Sequence, residues 1–435
     1  MPVALFAIGR WFWALAQHAP ILFGEGAVAH AAVLARTAQE YGPYPPDAIF
    51  VAANYPPLYF HLAGLGDPFV TGRVLSIGAT LFVVGAIAYR ARRAGWPVAV
   101  VLAASFVATM PVAVWGAALK PDLLALALIV GAVLALGERR AVLAGVLASL
   151  AIWTKPTEAL PAFTLLVYLA FVDRRGLLRG AASGLVALVV VALVTHLPDA
   201  AMFEHVWRWN QLEWHPDQAF LLLFVGLLIA GVAFVAFGVL RPFDAIGAYA
   251  VGALGVALLG GREGATVNYL LDILTATWLT LATAAPRLRG THVFPIALAT
   301  QLLVALALLD PLGVLPGRAI STGAWESPQN VEAVRAISGT LLVEDAGPLV
   351  VDGRMPSVDD LFLWSRLQDR RMDAVVLDAV RGAAFDAIVS EADLSRLDAA
   401  PLWEQQRWDR ALVGVVLQRY QLDRTVAGLY VYRPR

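Results

Sequence analysis

The sequence predicts an α-helical polytopic membrane protein with a small α/β domain at its C-terminal end. Three observations carry that expectation. Of 435 residues, 59% are hydrophobic and 15% charged, against roughly 45 to 50% and about 25% in soluble globular chains, and the mean hydropathy is +0.69. Apolar, charge-poor segments recur from the start of the chain to about residue 309, so the usual one domain per roughly 150 residues does not apply. From residue 310 the composition changes: acidic residues gather, and short strand-like and helix-like pieces follow one another.

A bilayer core about 30 Å thick takes roughly 20 apolar residues per helix, fewer where charged ends snorkel. On that basis spans are expected at Val3–Ala16, Val74–Tyr89, Val98–Leu119, Leu123–Gly137, Ala141–Thr154, Ala159–Val172, Gly180–Leu197, Ala219–Leu240, Ala245–Gly260, Tyr269–Ala285 and Val293–Leu309, about eleven in all. The first is short and carries Arg10, so it fits a truncated span or an interfacial helix. It fits a cleaved signal peptide less well, because no charged n-region precedes it. In the tail, Gly339–Ala346, Pro348–Arg354, Ala384–Glu391 and Gly428–Pro434 read as strands. Asn330–Ser338, Val358–Arg371 and the stretch around Ala411–Tyr420 read as helices. The division is a membrane domain over 1–309 and an α/β domain over 310–435.

Arginine sets the orientation. Arg90, Arg92 and Arg93, then Arg139 and Arg140, then Arg174, Arg175 and Arg179, then Arg241, then Arg287 and Arg289 fall on alternate turns, which are therefore cytoplasmic. The long connection from Gln17 to Arg73, the turns at Lys120, Lys155, Pro198–Gln218 and Gly261–Asn268, and the C-terminal domain then face outward. Thirty-two basic residues balance thirty-three acidic ones, so the basic excess of a nucleic-acid binder is missing and nucleic acid is not an expected partner. With no cysteine, disulfides, thiolate metal sites and cysteine nucleophiles are excluded. The seven histidines show no ligand spacing of the HExxH kind, so no dedicated zinc site is expected.

Polar residues at membrane depth are expensive, which makes those kept beside the outer loops informative. The first outer loop, residues 17–73, exceeds the length of an ordinary connection. In FGEGAVAH, Glu25 stands between two glycines that let backbone approach closely, at the start of a helix that favours a carboxylate. An ordinary helix-capping acid would occupy the same position. Asp47 is a second acid in this loop. Asn54, Tyr55 and Tyr59 belong to NYPPLYF, which also suits an interfacial anchor. Lys120 and Lys155 are the only lysines, and each precedes a proline at an outer helix end, in KPD and KPT. A compact ammonium there suits a phosphate; snorkelling anchorage fits equally well. Arg73, Asp122, Arg262, Asn268 and Tyr269 complete the outer-face candidates, Arg262 as a third phosphate partner.

The order of these features resembles the GT-C superfamily of polytopic glycosyltransferases, in particular family-39-like members akin to protein O-mannosyltransferases and lipid A aminoarabinose transferases. The features are a short first span, a long acidic first outer loop, YPPLY at the return into the membrane, KPD and KPT at later outer helix ends, NYLLD, and an outer C-terminal domain. Many members carry an Asp-Glu pair in the first loop; this chain has Gly24-Glu25, so only the glutamate position matches. The resemblance implies an inverting transferase that moves a sugar from a polyprenyl-phosphate donor to an envelope glycan, lipid or protein on the extracytoplasmic side of a bacterial inner membrane. It implies that Glu25 is the base, with Lys120, Lys155 and Arg262 at the donor phosphate. A lipid phosphate leaves readily, so such a reaction needs a base and cations but no general acid. No metal ligands are assigned, although a divalent cation is compatible with such a site. The alternative is a secondary transporter or flippase for a lipid-linked or anionic solute, which would place its charges near the midplane; here they gather at one face.

Overall fold

The computed structural model describes residues 1–44, 48–196, 198–240, 244–288, 296–301, 303–304, 328–367, 370–400 and 402–435. The membrane half contains α1 (Pro2–Ala16), α2 (Glu25–Leu34), α3 (Pro57–Ala63), α4 (Pro68–Ala91), α5 (Trp96–Val107), α6 (Met110–Trp115), α7 (Asp122–Gly137) and α8 (Ala141–Thr154). It continues with α9 (Ala159–Val172), α10 (Arg174–Thr195), the short α11 (Ala200–Phe203), α12 (Pro216–Leu240), α13 (Ala245–Leu258) and α14 (Leu271–Leu288).

Capping fixes where several of these begin. Asp67 accepts from the Val70 amide and Pro68 stands in the first turn of α4; Asp173 caps α10 through Gly176, and Asp244 caps α13 through Ile246 and Gly247. A short acceptor at the N-cap satisfies amides that have no partner within the helix. The single span expected at Val98–Leu119 is instead two helices, with Thr109 extended between them. Pro111 explains the break, since it has no N–H and its ring would collide with the preceding turn. Of the segment expected at Val293–Leu309, residues 296–301 and 303–304 are helical. The rest, with the 309/310 boundary and Asp47, lies outside the described residues.

The chain is a multi-pass membrane protein. Among the described residues three helices have full spanning length and apolarity, at Pro68–Ala94, Arg174–Thr195 and Pro216–Leu240. The other apolar helices of this half run to 10–17 residues, shorter than the roughly 20 a full span takes, so eleven full-length spans are not what the described residues show. In Arg174–Thr195 only 11% of the apolar window is buried, against 50% for the helix from Pro68. The first thus offers its surface to lipid, while the second forms the middle of the bundle. Around it pack Trp11, Phe106, Val130 and Trp278, all buried.

The C-terminal domain is a four-stranded sheet of order β1-β2-β4-β3, with β1 Leu341–Val343, β2 Ala387–Ser390, β3 Tyr420–Val426 and β4 Leu429–Pro434. β1 and β2 run parallel, and β4 pairs antiparallel with β2 and β3. Alternation sends Leu341, Val343, Ala387 and Val389 to one face, and Leu342 and Ile388 to the other. Three expected strands are present. The fourth, Pro348–Arg354, is helical over Gly347–Val351, because Pro348 suits a first helical turn and the Asp345 carboxylate takes the Gly347 amide. A short apolar run cannot separate the two forms by period. β3 was not anticipated; its residues from Gln421 to Thr425 are exposed, and all but Leu422 are polar.

The outer loop docks directly on this domain. The amides of Ile49 and Phe50 donate to the Ser357 carbonyl at 2.8 and 2.9 Å, and Asp359 N–H returns to the Phe50 carbonyl at 3.2 Å. Phe50 stacks on Trp209 with centroids 5.2 Å apart, and both side chains belong to the apolar cluster beneath the sheet. The two halves therefore share a core.

Candidate active site

Glu25 opens α2 behind Gly24, whose φ of 74° lies in the left-handed region. Its side chain is fully buried. Oε2 accepts from Arg73 Nη2 and the Ile21 amide, both at 2.8 Å, and Oε1 accepts from the Leu119 amide at 2.6 Å. Arg73, equally buried, also donates to the carbonyls of Ala14, Gln17 and Ala19. One ion pair thus ties together the end of α1, the outer loop, α4 and the turn that leads to Lys120. Tyr59 supports the same corner by donating to the Gly72 carbonyl at 3.2 Å.

The second pair of candidates converges as well. α7 and α8 form a hairpin with Arg139 and Arg140 at its turn, so Asp122, where α7 begins, and Lys155, which follows α8, lie at the opposite end. Lys155 Nζ donates to Asp122 Oδ1 at 2.8 Å, Asn268 Nδ2 reaches the same oxygen at 2.7 Å, and the ammonium lies 4.9 Å from the Tyr269 ring centroid. KPD, KPT and NYLLD are therefore parts of one buried cluster. Asp122 Oδ2 has no hydrogen-bond partner within it.

Lys120 behaves differently. It is partly exposed, and among the described residues its ammonium makes no hydrogen bond or ion pair. It rests against Gly24: a Cβ at that glycine would stand 2.8 Å from Nζ. The lack of a side chain at position 24 is what admits the ammonium.

Arg262 is held through its backbone, which pairs with Trp214 and whose carbonyl accepts from Gln218. Among the described residues its side chain makes no hydrogen bond or ion pair. The Asn54 carbonyl accepts from Asn210 at 2.8 Å, and the Tyr55 carbonyl from Tyr41 at 2.6 Å. The Tyr55 hydroxyl, its pKa pushed up mainly by burial, lies in the field of Asp122, Lys155 and Tyr269, and also in that of Asp360 in the C-terminal domain.

That domain closes the site from the other side, with residues that sequence reasoning did not single out. Asp345 accepts the Gly24 amide on one oxygen at 2.9 Å and the Gly347 amide on the other at 2.6 Å. Asp359 joins His30 Nδ1 to the Ala52 amide, both at 2.8 Å. Asp360 caps the helix Leu361–Arg366 through the Leu363 amide. Arg407 stacks on Phe23 at 3.7 Å from its ring centroid and pairs with Glu344 and Glu391. Burial raises the pKa of Asp345 and Asp359, and pushes Asp360 up to about 6, with Asp359 adding to the effect and Lys120 opposing it. Beside them, burial pushes His205 down to about 3, which leaves a neutral ring whose Nδ1 accepts the Ala53 amide. The aspartates at 345, 359 and 360 were the available signal in sequence, but nothing there showed which connection they would meet.

Geometrically, the end of the bundle opposite the Arg139–Arg140 turn holds an ammonium that makes no ion pair among the described residues, beside a glycine and in the field of Asp122, Asp345 and Asp360. Two solved structures have this overall fold. ArnT from Cupriavidus metallidurans in the apo state is 15% identical with a TM-score of 0.51, covering 95% of this chain and 74% of that one. The same protein bound to undecaprenyl phosphate is 15% identical with a TM-score of 0.50, covering 95% of this chain and 75% of that one. The likeness is one of fold, shared along nearly the whole of this chain. No protein-family model and no curated protein sequence matches the chain.

Proposed function

We propose that the protein is an inverting glycosyltransferase that takes a sugar from a polyprenyl-phosphate donor and transfers it to an acceptor outside a bacterial inner membrane. The observation that carries this reading is Lys120, an ammonium without an anionic partner among the described residues, seated against a glycine at the mouth of the bundle. The phosphate of such a donor, a phosphodiester with one negative charge that gains a second as the sugar leaves, is the natural complement of such a charge. The shared fold with a protein that has undecaprenyl phosphate bound adds support. Lys155 serves the donor from behind, neutralising Asp122 and holding Asn268 and Tyr269 in place, and Arg262 contributes positive potential at the rim. The partly buried surroundings strengthen a charge-assisted bond beyond its value in water.

Glu25 is assigned an architectural part in this state. Three donors occupy its two oxygens, so its carboxylate holds the loop and Arg73 in register around the donor pocket. Binding of undecaprenyl phosphate by the full chain in nanodiscs, followed by native mass spectrometry, tests the reading. Wild type should retain the lipid, and Lys120→Ala should weaken it about tenfold, the equivalent of one charge-assisted hydrogen bond. Equal retention by both would remove Lys120 from the donor site.

A further inference from the structure

Of the carboxylates that the membrane half brings to this site, Glu25 spends both oxygens on Arg73 and two amides, while Asp122 spends Oδ1 on Lys155 and Asn268; its Oδ2 takes no hydrogen bond among the described residues, but it is buried and the charge is already offset by the Lys155 ammonium. The C-terminal domain supplies three more, and they are not equivalent. Asp345 spends one oxygen on Gly24 and the other on Gly347, while Asp359 is divided between His30 and Ala52. Asp360 spends only Oδ1, on the Leu363 amide at 2.8 Å; among the described residues Oδ2 accepts nothing, and the residue is partly exposed. Its backbone pairs antiparallel with Asp345, and Asp345 grips Gly24, against which Lys120 rests. A carboxylate oxygen and an ammonium, neither with a hydrogen-bond partner among the described residues, are thereby placed at one rim.

We propose that Asp360 is the general base of the transfer, with Lys120 across the cleft holding the departing phosphate; this rests on the glycosyltransferase reading above. The acceptor hydroxyl oxygen forms the new bond to the anomeric carbon as the bond from that carbon to the phosphate oxygen breaks. The phosphate leaves with the electron pair, facing Lys120, and the hydroxyl proton passes to Asp360 Oδ2. A base must stand within hydrogen-bond reach of the proton it takes, and its affinity should match the working pH. A carboxylate tethered by one oxygen at a helix N-cap is held in position with the other oxygen available.

Asp360→Asn is a clean test, because asparagine caps helices as well as aspartate does and keeps the bond to Leu363. Two quantities are read on the full chain in nanodiscs: retention of undecaprenyl phosphate, and release of labelled sugar from a panel of undecaprenyl-phosphate-linked hexoses and pentoses. The variant should retain the lipid as wild type does yet release sugar roughly 10²-fold more slowly or worse, the usual scale of general-base loss. Release within about threefold of wild type would overturn the role of Asp360 and leave the donor reading standing, since loss of a general base is expected to cost far more. Failure of the wild-type chain to bind undecaprenyl phosphate would overturn both.

Discussion

Lys155 and Asp122 are 33 positions apart in sequence, yet the ammonium donates to the carboxylate at 2.8 Å with both side chains buried. This separates the roles of the two lysines. Removing one partner of a buried pair strands the other charge, which typically costs about 3 to 5 kcal/mol. Lys155→Ala should therefore lower the thermal midpoint of the solubilised protein markedly, whereas the partly exposed, unpaired Lys120→Ala should not. Asp122→Asn combined with Lys155→Met should recover most of the loss. An equal midpoint for Lys155→Ala and wild type would show that the pair is not a structural element.

The buried Glu25–Arg73 pair makes an opposite forecast for the two acids of the site. Glu25→Gln leaves Arg73 facing three carbonyls with no counter-charge, so the main effect should be on stability, again on the order of 3 to 5 kcal/mol. Asp360→Asn, which keeps the cap and removes a carboxylate whose ionisation costs stability, should not destabilise the fold while it removes turnover. Thermal unfolding beside sugar release distinguishes them; a stable, inactive Glu25→Gln would return the base role to Glu25.

The pH profile carries a sign. Burial pushes Asp360 up to about 6, so the base is half protonated there and activity should climb as pH rises through 6. Removing Asp360 should flatten that limb in whatever residual activity remains. The same raised value means that the folded chain holds a proton the unfolded chain has already lost between about 4 and 6. Ionisation of Asp360 therefore destabilises the fold as pH rises through 6, and Asp360→Asn should remove that slope from the unfolding curve.

Much of this architecture was legible in the chain because membranes enforce simple rules. The spans at Ala141–Thr154 and Ala159–Val172 coincide with the helices found, because a charge or a proline stands at each end. The Val98–Leu119 span was misjudged because hydropathy does not register what Pro111 does to a backbone. KPD, KPT and NYLLD were singled out as candidates, and residues of all three meet in one buried cluster. The sequence did not show that Lys155 would spend its charge on Asp122 while Lys120 kept its own free, since that depends on the angle at which α7 meets α8. Asp345, Asp359 and Asp360 were invisible as site residues for a related reason. Asp345 and Asp359 meet amides and a side chain of the long first loop more than 300 positions away in sequence, and Asp360 is brought in by its pairing with Asp345; no local pattern encodes such contacts.

Orientation is testable without any substrate. α7 and α8 place the arginine turn at one end and Asp122 and Lys155 at the other, and excess arginine marks the cytoplasmic side. Alkaline phosphatase fused after Arg435 should be active, and a fusion at the Arg139–Arg140 turn inactive. The reverse pattern would turn the protein over and place the site in the cytoplasm.

The joint between the halves is the most exacting part of the structure, and Gly26 shows why. A Cβ built there would stand 2.1 Å from the Gly347 nitrogen and 2.6 Å from Asp345 Oδ1. The first atom is backbone and cannot swing aside, so Gly26→Ala requires α2 and the helix Gly347–Val351 to separate. Separation would break the Asp345 bond to Gly24 and withdraw Asp360 from the rim on which Lys120 lies. The membrane bundle, whose core lies elsewhere, should keep its helix content. The expected result is a protein that inserts normally and still binds undecaprenyl phosphate through Lys120, but gains protease sensitivity in the C-terminal domain and loses sugar release by roughly the factor expected for a lost base. Limited proteolysis with the release assay checks it. If Gly26→Ala is as resistant and as active as wild type, the close contact between Gly26 and Gly347 does not exist in the working protein, and the C-terminal domain does not complete the site in the way described.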